Sequence, residues 1–361
     1  MKIALAQINP TVGDLKGNSK KIIGEIEKAA QAGCSLVIFG ELSLTGYPPR
    51  DLLLKPQFIE ANLAAIELIA RQCQNIAALV GYVSLHNGQT GKMLHNTAGL
   101  LRNGVIEKTY YKRLLPTYDV FDETRYFQSG QQLQMIEFDG QKIGLTICED
   151  IWRSTETSER NLYASDPFGE LAEAGAQMII NMSASPFVIG KHEFRRKLFG
   201  SQAKKYGVPL FYVNQVGGND ELVFDGVSCV FDQNGLLIAQ AKDFSEDLLI
   251  IDTADTSHAR IEKVSTNMES LHKALVVGLR DYVAKCRFES VVLGLSGGID
   301  SAVTAAIAVD ALGAERVSGV ALPSRYSSDH SVNDARELAA NLGIDFQIIP
   351  IELAHRAMEE T

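Results

Sequence analysis

The chain has 361 residues, 46% of them hydrophobic and 22% charged, with 44 acidic against 34 basic side chains and a net charge of −10. That length accommodates about two domains, and the composition is that of an ordinary soluble globular protein, which excludes disordered and collagen-like architectures. The acidic balance, without any long Lys/Arg run, excludes nucleic acid as the main partner, and no apolar run reaches the ~18 residues that a membrane helix needs.

In chain order, KIALAQI from Lys2, SLVIFG from Ser35, IAALVGYV from Ile76 and TAGLLR from Thr97 read as strands. So do KIGLTIC from Lys142, QMIINMS from Gln177, PLFYVNQ from Pro209 and VSCVFD from Val227. Between the first two, NSKKIIGEIEKAAQAG from Asn18 places Ile22, Ile26 and Ala29 on one face and ends in glycine, which predicts a helix. RNGV, Arg102 to Val105, is a hairpin signal. Short buried strands, amphipathic helices and hairpins together predict a sandwich of paired sheets. Cys34, Cys73, Cys148, Cys229 and Cys286 form no Cys-x-x-Cys pair, so neither a zinc site nor a disulfide framework is signalled, and a reduced, cytoplasmic setting is expected. Asn181-Met182-Ser183 matches a glycosylation sequon, which is idle without secretion.

Composition shifts at Asp252, where a polar stretch to Glu269 reads as a linker. SLHKALVVGLRDYVAK then sets Leu271, Leu275, Leu279 and Tyr282 at helical spacing. From Glu289 the order becomes βαβαβ, the start of a parallel sheet with crossover helices.

The strand VVLGL runs into Ser296-Gly297-Gly298-Ile299-Asp300-Ser301 and a strong helix former. Glycines let consecutive N–H groups converge ahead of a helix N-terminus, so this loop is built for an anion. Ser296 and Ser301 add hydroxyl donors, and Asp300 suits a Mg²⁺ that bridges it to phosphates. The loop is neither a Walker A motif nor a Gly-x-Gly-x-x-Gly fingerprint. LGLSGGIDS, Gly294 and Leu295 included, resembles the PP-loop of ATP pyrophosphatases, which adenylate a carboxylate or carbonyl oxygen and release pyrophosphate. The stretch ALPSRYSSDHS, Ala321 to Ser331, lies where the second strand ends. It resembles the corresponding loop of the glutamine-dependent NAD⁺ synthetases.

Such synthetases need ammonia, and three upstream segments suit its release from an amide. Glu41 follows SLVIF in FGELSLTGYPPRDLL, Lys112 lies in YYKRLLPTYDVFDE, and Cys148 ends KIGLTIC. A thiol attacks a carboxamide only as thiolate, so a base must take its proton, and Glu41 is the candidate. Lys112 and the backbone N–H of Glu149 are candidate donors to the oxyanion, and the lysine is expected to favour the thiolate by Coulomb attraction. Singly, Cys148 reads as well as an inert core thiol, and Glu41 and Lys112 as surface charges. Together, the three segments resemble the Glu-Lys-Cys sites of the nitrilase superfamily.

The resemblance implies an α/β chain: a nitrilase-like α/β/β/α sandwich over 1–255, a linker and connecting helix over 256–285, and over 286–361 the start of a PP-loop (adenine nucleotide α hydrolase-like) parallel α/β domain that ends partway. It also implies a glutamine pocket with Tyr118, Phe121, Ser185 and Lys191, and ATP, Mg²⁺, glutamine and deamido-NAD⁺ as ligands of a homo-oligomer. The expected activity is glutamine-driven, ATP-dependent amidation of deamido-NAD⁺. An amidase acting alone and a non-catalytic nucleotide-binding regulator are the competing readings.

Overall fold

The structure is a computed structural model that describes residues 1–152 and 163–361. Its first compact unit, Met1–Asn267, begins with β1 (Lys2–Gln7), β2 (Leu36–Phe39), β3 (Ala77–Leu85), β4 (Leu94–Arg102) and β5 (Val105–Tyr111). There follow β6 (Met135–Phe138), β7 (Gln141–Ile147), β8 (Met178–Ser183) and β9 (Leu210–Asn214), then the hairpin β10 (Val216–Asn219) and β11 (Leu222–Asp225). β12 (Cys229–Phe231), β13 (Leu237–Gln240) and β14 (Asp247–Asp252) complete the unit. Two six-stranded sheets result, ordered β14-β1-β2-β3-β4-β5 and β13-β12-β9-β8-β7-β6. Each has a parallel centre, β1-β2-β3 or β7-β8-β9, with antiparallel strands outside it.

The sheets bury a common core. Leu5, Ile38, Leu79 and Leu100 of the first sheet belong to one apolar cluster with Ile143, Ile180, Phe211 and Val230 of the second. The outer face of the first sheet is covered by α1 (Leu15–Gln31) and α2 (Pro56–Ala70), with Ile22, Ile26 and Ala29 buried as the helical period requires. α3 (Pro167–Glu173) and α4 (Lys191–Tyr206) cover the second sheet through Phe168, Leu171, Leu198 and Phe199. The layers are therefore α/β/β/α. Beyond β14, the polar stretch is held to this unit by Arg260, whose guanidinium bonds Asp247 at 2.8 Å and Glu262 at 2.7 Å, and by a bridge from Gln240 to Ile261.

The second unit, Met268–Thr361, contains almost all of α5 (Asn267–Lys285) and a three-stranded parallel sheet of β15 (Val291–Gly294), β16 (Val317–Ala321) and β17 (Asp345–Ile348). α6 (Ile299–Leu312) and α7 (Asp329–Leu342) pack Ala305, Ala308, Ala335 and Ala339 around Leu295 and Val317, and α8 (Glu352–Glu359) follows. On α5 burial differs from the expected face. Ser270, Ala274, Val277, Asp281 and Val283 are buried and Leu279 packs partly buried against the apolar cluster of this unit, while Leu275 and Tyr282 are exposed. Among the described residues no helix is long and apolar enough to cross a membrane.

One backbone crossing matters for the site. The turn after β2 runs over Gly81 of β3, with Leu44 N–H on the Gly81 carbonyl at 3.0 Å. A Cβ at Gly81 would overlap the Leu42 nitrogen and come within 2.6 Å of the Gly40 carbonyl. Gly81→Ala should therefore lower stability by ~1–3 kcal/mol, the usual cost of overpacking; a denaturation midpoint equal to that of the wild type would refute the tight crossing.

Candidate active site

Three strand ends build one buried site. Glu41 stands two residues past β2, and its N–H reaches the Ser183 carbonyl at the end of β8 at 3.3 Å. Lys112 directly follows β5, with its N–H on the Asn96 carbonyl of β4 at 2.9 Å. Cys148 directly follows β7, whose Ile147 pairs with Met182 of β8, so the thiol stands beside the same strand end. Its φ of 43° is a left-handed conformation that costs a non-glycine residue free energy and turns the chain sharply out of the strand. Asp150 secures that turn. Its carboxylate accepts the N–H groups of Ile147 at 2.9 Å, Leu114 at 2.8 Å and Arg113 at 3.1 Å, which ties the Cys148 turn to the chain after Lys112.

Within the site, Lys112 Nζ donates to Glu41 Oε1 and to Glu123 Oε1, both at 2.6 Å. Asn96 Nδ2 donates to the same two carboxylates, at 2.7 Å to Glu41 Oε1 and 3.4 Å to Glu123 Oε2. Ala184 N–H binds Glu41 Oε2 at 3.1 Å, and Tyr47 OH binds Glu123 Oε1 at 2.8 Å. All of these side chains are buried. Burial works to lower the Lys112 ammonium, but Glu123 and Glu41 outweigh it and hold Lys112 well above its usual range. Burial pushes Glu123 up to about 6, against the pull of Lys112. Two carboxylates and one ammonium leave the cluster acidic.

That balance sets the state of the thiol. Lys112 does favour the Cys148 thiolate, but burial and then the Glu41 charge act the other way and are stronger, so the thiol lies well above its ordinary range. At rest Cys148 is a neutral S–H in the field of the Glu41 carboxylate, so any attack by its sulfur would require deprotonation in the same step.

Around this centre, Tyr118 OH donates to Glu149 at 2.8 Å and Tyr163 OH does so at 3.0 Å, while Phe121 meets the Tyr118 ring edge-on at 5.5 Å. Glu149 contributes a buried carboxylate as well as its expected N–H, and burial raises it. Lys191, the first residue of α4, lies 5.3 Å from the Trp152 ring centre, and burial lowers its ammonium. Asn214 clamps both backbone groups of Ser185, whose buried hydroxyl has no partner among the described residues. Sequence reasoning passed over Glu123, Asn96, Asp150 and Tyr163. Neither Glu123, one of three acids in YDVFDE, nor Asn96 on β4 carries a signal that sets it apart.

In the second unit the loop after β15 closes on itself. Ser301 Oγ donates to the Gly298 carbonyl at 2.9 Å and receives Ser296 N–H at 3.3 Å. Of the two glycines only Gly297 is conformationally required. Its φ is +77°, and a Cβ there would come within 2.7 Å of Ser331 Cα at the start of α7. Gly298 is extended, and Leu295 turns its side chain into the core, leaving only its backbone to the loop. Ile299 and Asp300 are exposed on the first turn of α6. A cavity of about 440 Å³ opens beside the loop between Ser296, Ala321, Pro323, Tyr326 and Ser331.

Residues 2–260 match the carbon-nitrogen hydrolase family and residues 271–361 the NAD synthase family. The glutamine-dependent NAD(+) synthetase of Synechocystis sp. is 45% identical over 97% of this chain and 64% of its own length. That of Thermotoga maritima is 38% identical over 99% of this chain and 67% of its own length. The structure of the Acinetobacter baumannii glutamine-dependent NAD+ synthetase, solved with adenosine diphosphate, aligns with a TM-score of 0.90 at 38% identity, covering 99% of this chain and 66% of that one. The chain thus spans about two thirds of the length of the relatives it matches.

The neutral resting thiol can be tested directly. Alkylation of Cys148 by iodoacetamide should keep accelerating from pH 6 to pH 9, because thiolate becomes more abundant throughout that range; a rate that levels off below pH 7 would contradict it.

Proposed function

The chain belongs to the carbon-nitrogen hydrolase family and to the glutamine-dependent NAD(+) synthetases, and from that membership we propose that its first unit hydrolyses glutamine and its second uses ATP in the amidation of deamido-NAD⁺ to NAD⁺. The observation that carries this reading is the buried Glu41–Lys112–Glu123 cluster beside a neutral cysteine at three strand ends.

Cys148 Sγ attacks the glutamine carboxamide carbon while its proton passes to Glu41 Oε2, the oxygen not bonded to Lys112. Two N–H bonds of the Lys112 ammonium are committed to Glu41 and Glu123. The third, with the Glu149 backbone N–H, is assigned to the oxyanion. Glu41 returns the proton to the departing nitrogen, ammonia leaves, and a thioester to Cys148 remains. Water, deprotonated by Glu41, hydrolyses it to glutamate and restores the thiol. Tyr118, Phe121, Glu149, Ser185 and Lys191 form the glutamine pocket in this reading. The Ser185 hydroxyl and the Lys191 ammonium are its polar contacts.

In the second unit the proposed phosphate site is the loop from Gly294 to Ser301, with backbone N–H groups, the Ser296 and Ser301 hydroxyls and the start of α6 as donors. The loop fits Mg²⁺ delivered with a nucleotide. Asp300 puts one exposed carboxylate beside the phosphate donors, and Mg²⁺ is commonly held by one or two carboxylates plus substrate phosphates. Bound there, Mg²⁺ would neutralise phosphate charge. A cytoplasmic setting and homo-oligomeric assembly belong to the same proposal. An amidase acting alone is the second reading, favoured by the match of residues 2–260 to the carbon-nitrogen hydrolase family.

Incubation with glutamine should release glutamate, and Cys148→Ala should abolish that release; hydrolysis persisting in the variant would sink the assignment. Rate should fall as pH drops through about 6, where Glu123 takes up a proton and Lys112 loses one ionic partner. With ATP and deamido-NAD⁺ supplied, NAD⁺ formation should need Cys148 when glutamine is the donor but not when ammonia is. Glutamate release with no NAD⁺ from either donor would favour the amidase reading. Gly297→Ala should weaken ADP binding at least tenfold by calorimetry, and unchanged affinity would remove the loop from the nucleotide site.

A further inference from the structure

Asn96 occupies a place in the site that simple packing does not explain. It lies on β4 next to Thr97, which pairs with Tyr111, and its carbonyl receives Lys112 N–H, so Asn96 and Lys112 are cross-strand neighbours. Their side chains reach the same two carboxylates. Lys112 does so with a charge; Asn96 does so with a neutral amide, at 2.7 Å from Glu41 Oε1 and 3.4 Å from Glu123 Oε2. Two acceptors on one side fix which end of the amide is the nitrogen. Its Oδ1 is left buried without a partner among the described residues, an arrangement that disfavours folding by ~1–3 kcal/mol. A residue kept at that cost is serving something other than stability.

We propose that Asn96 is a positioning residue that clamps Glu41 for proton transfer, an inference that rests on the glutaminase reading above. Lys112 and Asn96 both bind Glu41 Oε1, which saturates that oxygen and turns Oε2, held among the described residues only by Ala184 N–H, toward the proton it must take. The neutrality of the second clamp matters. A second cation in its place would cancel the remaining negative charge of the pair and weaken the base, whereas an amide fixes the geometry and leaves the charge. The ionisable groups acting in this cluster are Lys112, Glu123, Tyr47, Cys148 and Glu149. Asn96 is the neutral donor that spans both carboxylates.

Asn96→Ala in this chain should lower kcat for glutamine hydrolysis about 100-fold, the scale of an ångström-level misplacement, while KM stays within twofold because Asn96 binds the base and not the substrate. The acid limb of the pH–rate profile should move up by about one pH unit, since the two carboxylates, with one donor fewer between them, hold a shared proton more tightly. Alkylation of Cys148 by iodoacetamide at pH 7 should slow at least tenfold. Wild-type kcat and an unshifted acid limb in Asn96→Ala would overturn the inference. Should that variant not fold, Asn96→Ser decides: its hydroxyl can serve only one carboxylate, so an intermediate loss of kcat is expected, and activity within twofold of wild type would overturn the clamp. A wild-type chain that hydrolyses no glutamine, yet whose Cys148 alkylation still depends on Asn96, would overturn the glutaminase reading and leave the positioning role standing.

Discussion

A single buried ammonium, Lys112, holds the charged cluster of the first unit together. It lies fully out of water with two carboxylates within 2.6 Å, one from the turn after β2 and one from the segment after β5. Burying any one of these charges alone would be prohibitive, and together they are tolerated only with good geometry and further hydrogen bonds. Asn96, Tyr47 and Ala184 supply those bonds. The surrounding strand ends are thereby fixed to one another, because each contributes a partner that the others cannot lose.

The sandwich makes such a cluster affordable. Parallel centres in both sheets send β2 and β8 toward a shared end, and the apolar layer between the sheets removes water beneath it. Charges placed there interact strongly and keep their positions. The same low-dielectric setting, with the Glu41 charge, keeps the Cys148 thiol protonated at rest. The second unit uses a different device. Its loop after β15 is shaped by one glycine pressed against the start of α7 and by two serines that close the turn, ahead of the N-terminus of α6.

Most of the fold was legible because its signals are local. Alternation and apolar runs located β1–β4, β7–β9 and β12, and the 3.6-residue period placed Ile22, Ile26 and Ala29 on the buried face of α1. The four-residue strands β6, β10, β11 and β13 and the six-residue β14 were not picked out, because none of them pairs an alternating pattern with a clear turn signal on both sides. On α5 the spacing of Leu271, Leu275, Leu279 and Tyr282 marks a helix but not its buried face: Leu279 packs on the core while Leu275 and Tyr282 stay outside.

For the site, the loop from Gly294 to Ser301 carries a chemical signal of its own, whereas Glu41, Lys112 and Cys148 stand out only as a set, through the resemblance of their three segments to a known family. Only the tertiary structure decided how they act. Glu123 and Asn96 matter because β4 and the chain after β5 bring them to Glu41, across 82 and 55 residues of sequence. The protonation state of Cys148 likewise depends on how much water is excluded and which charges face it, quantities set by packing between distant segments. Sequence determined which groups this protein has for its chemistry. Folding determined their partners, because electrostatic energy depends on distance and burial and not on order along the chain.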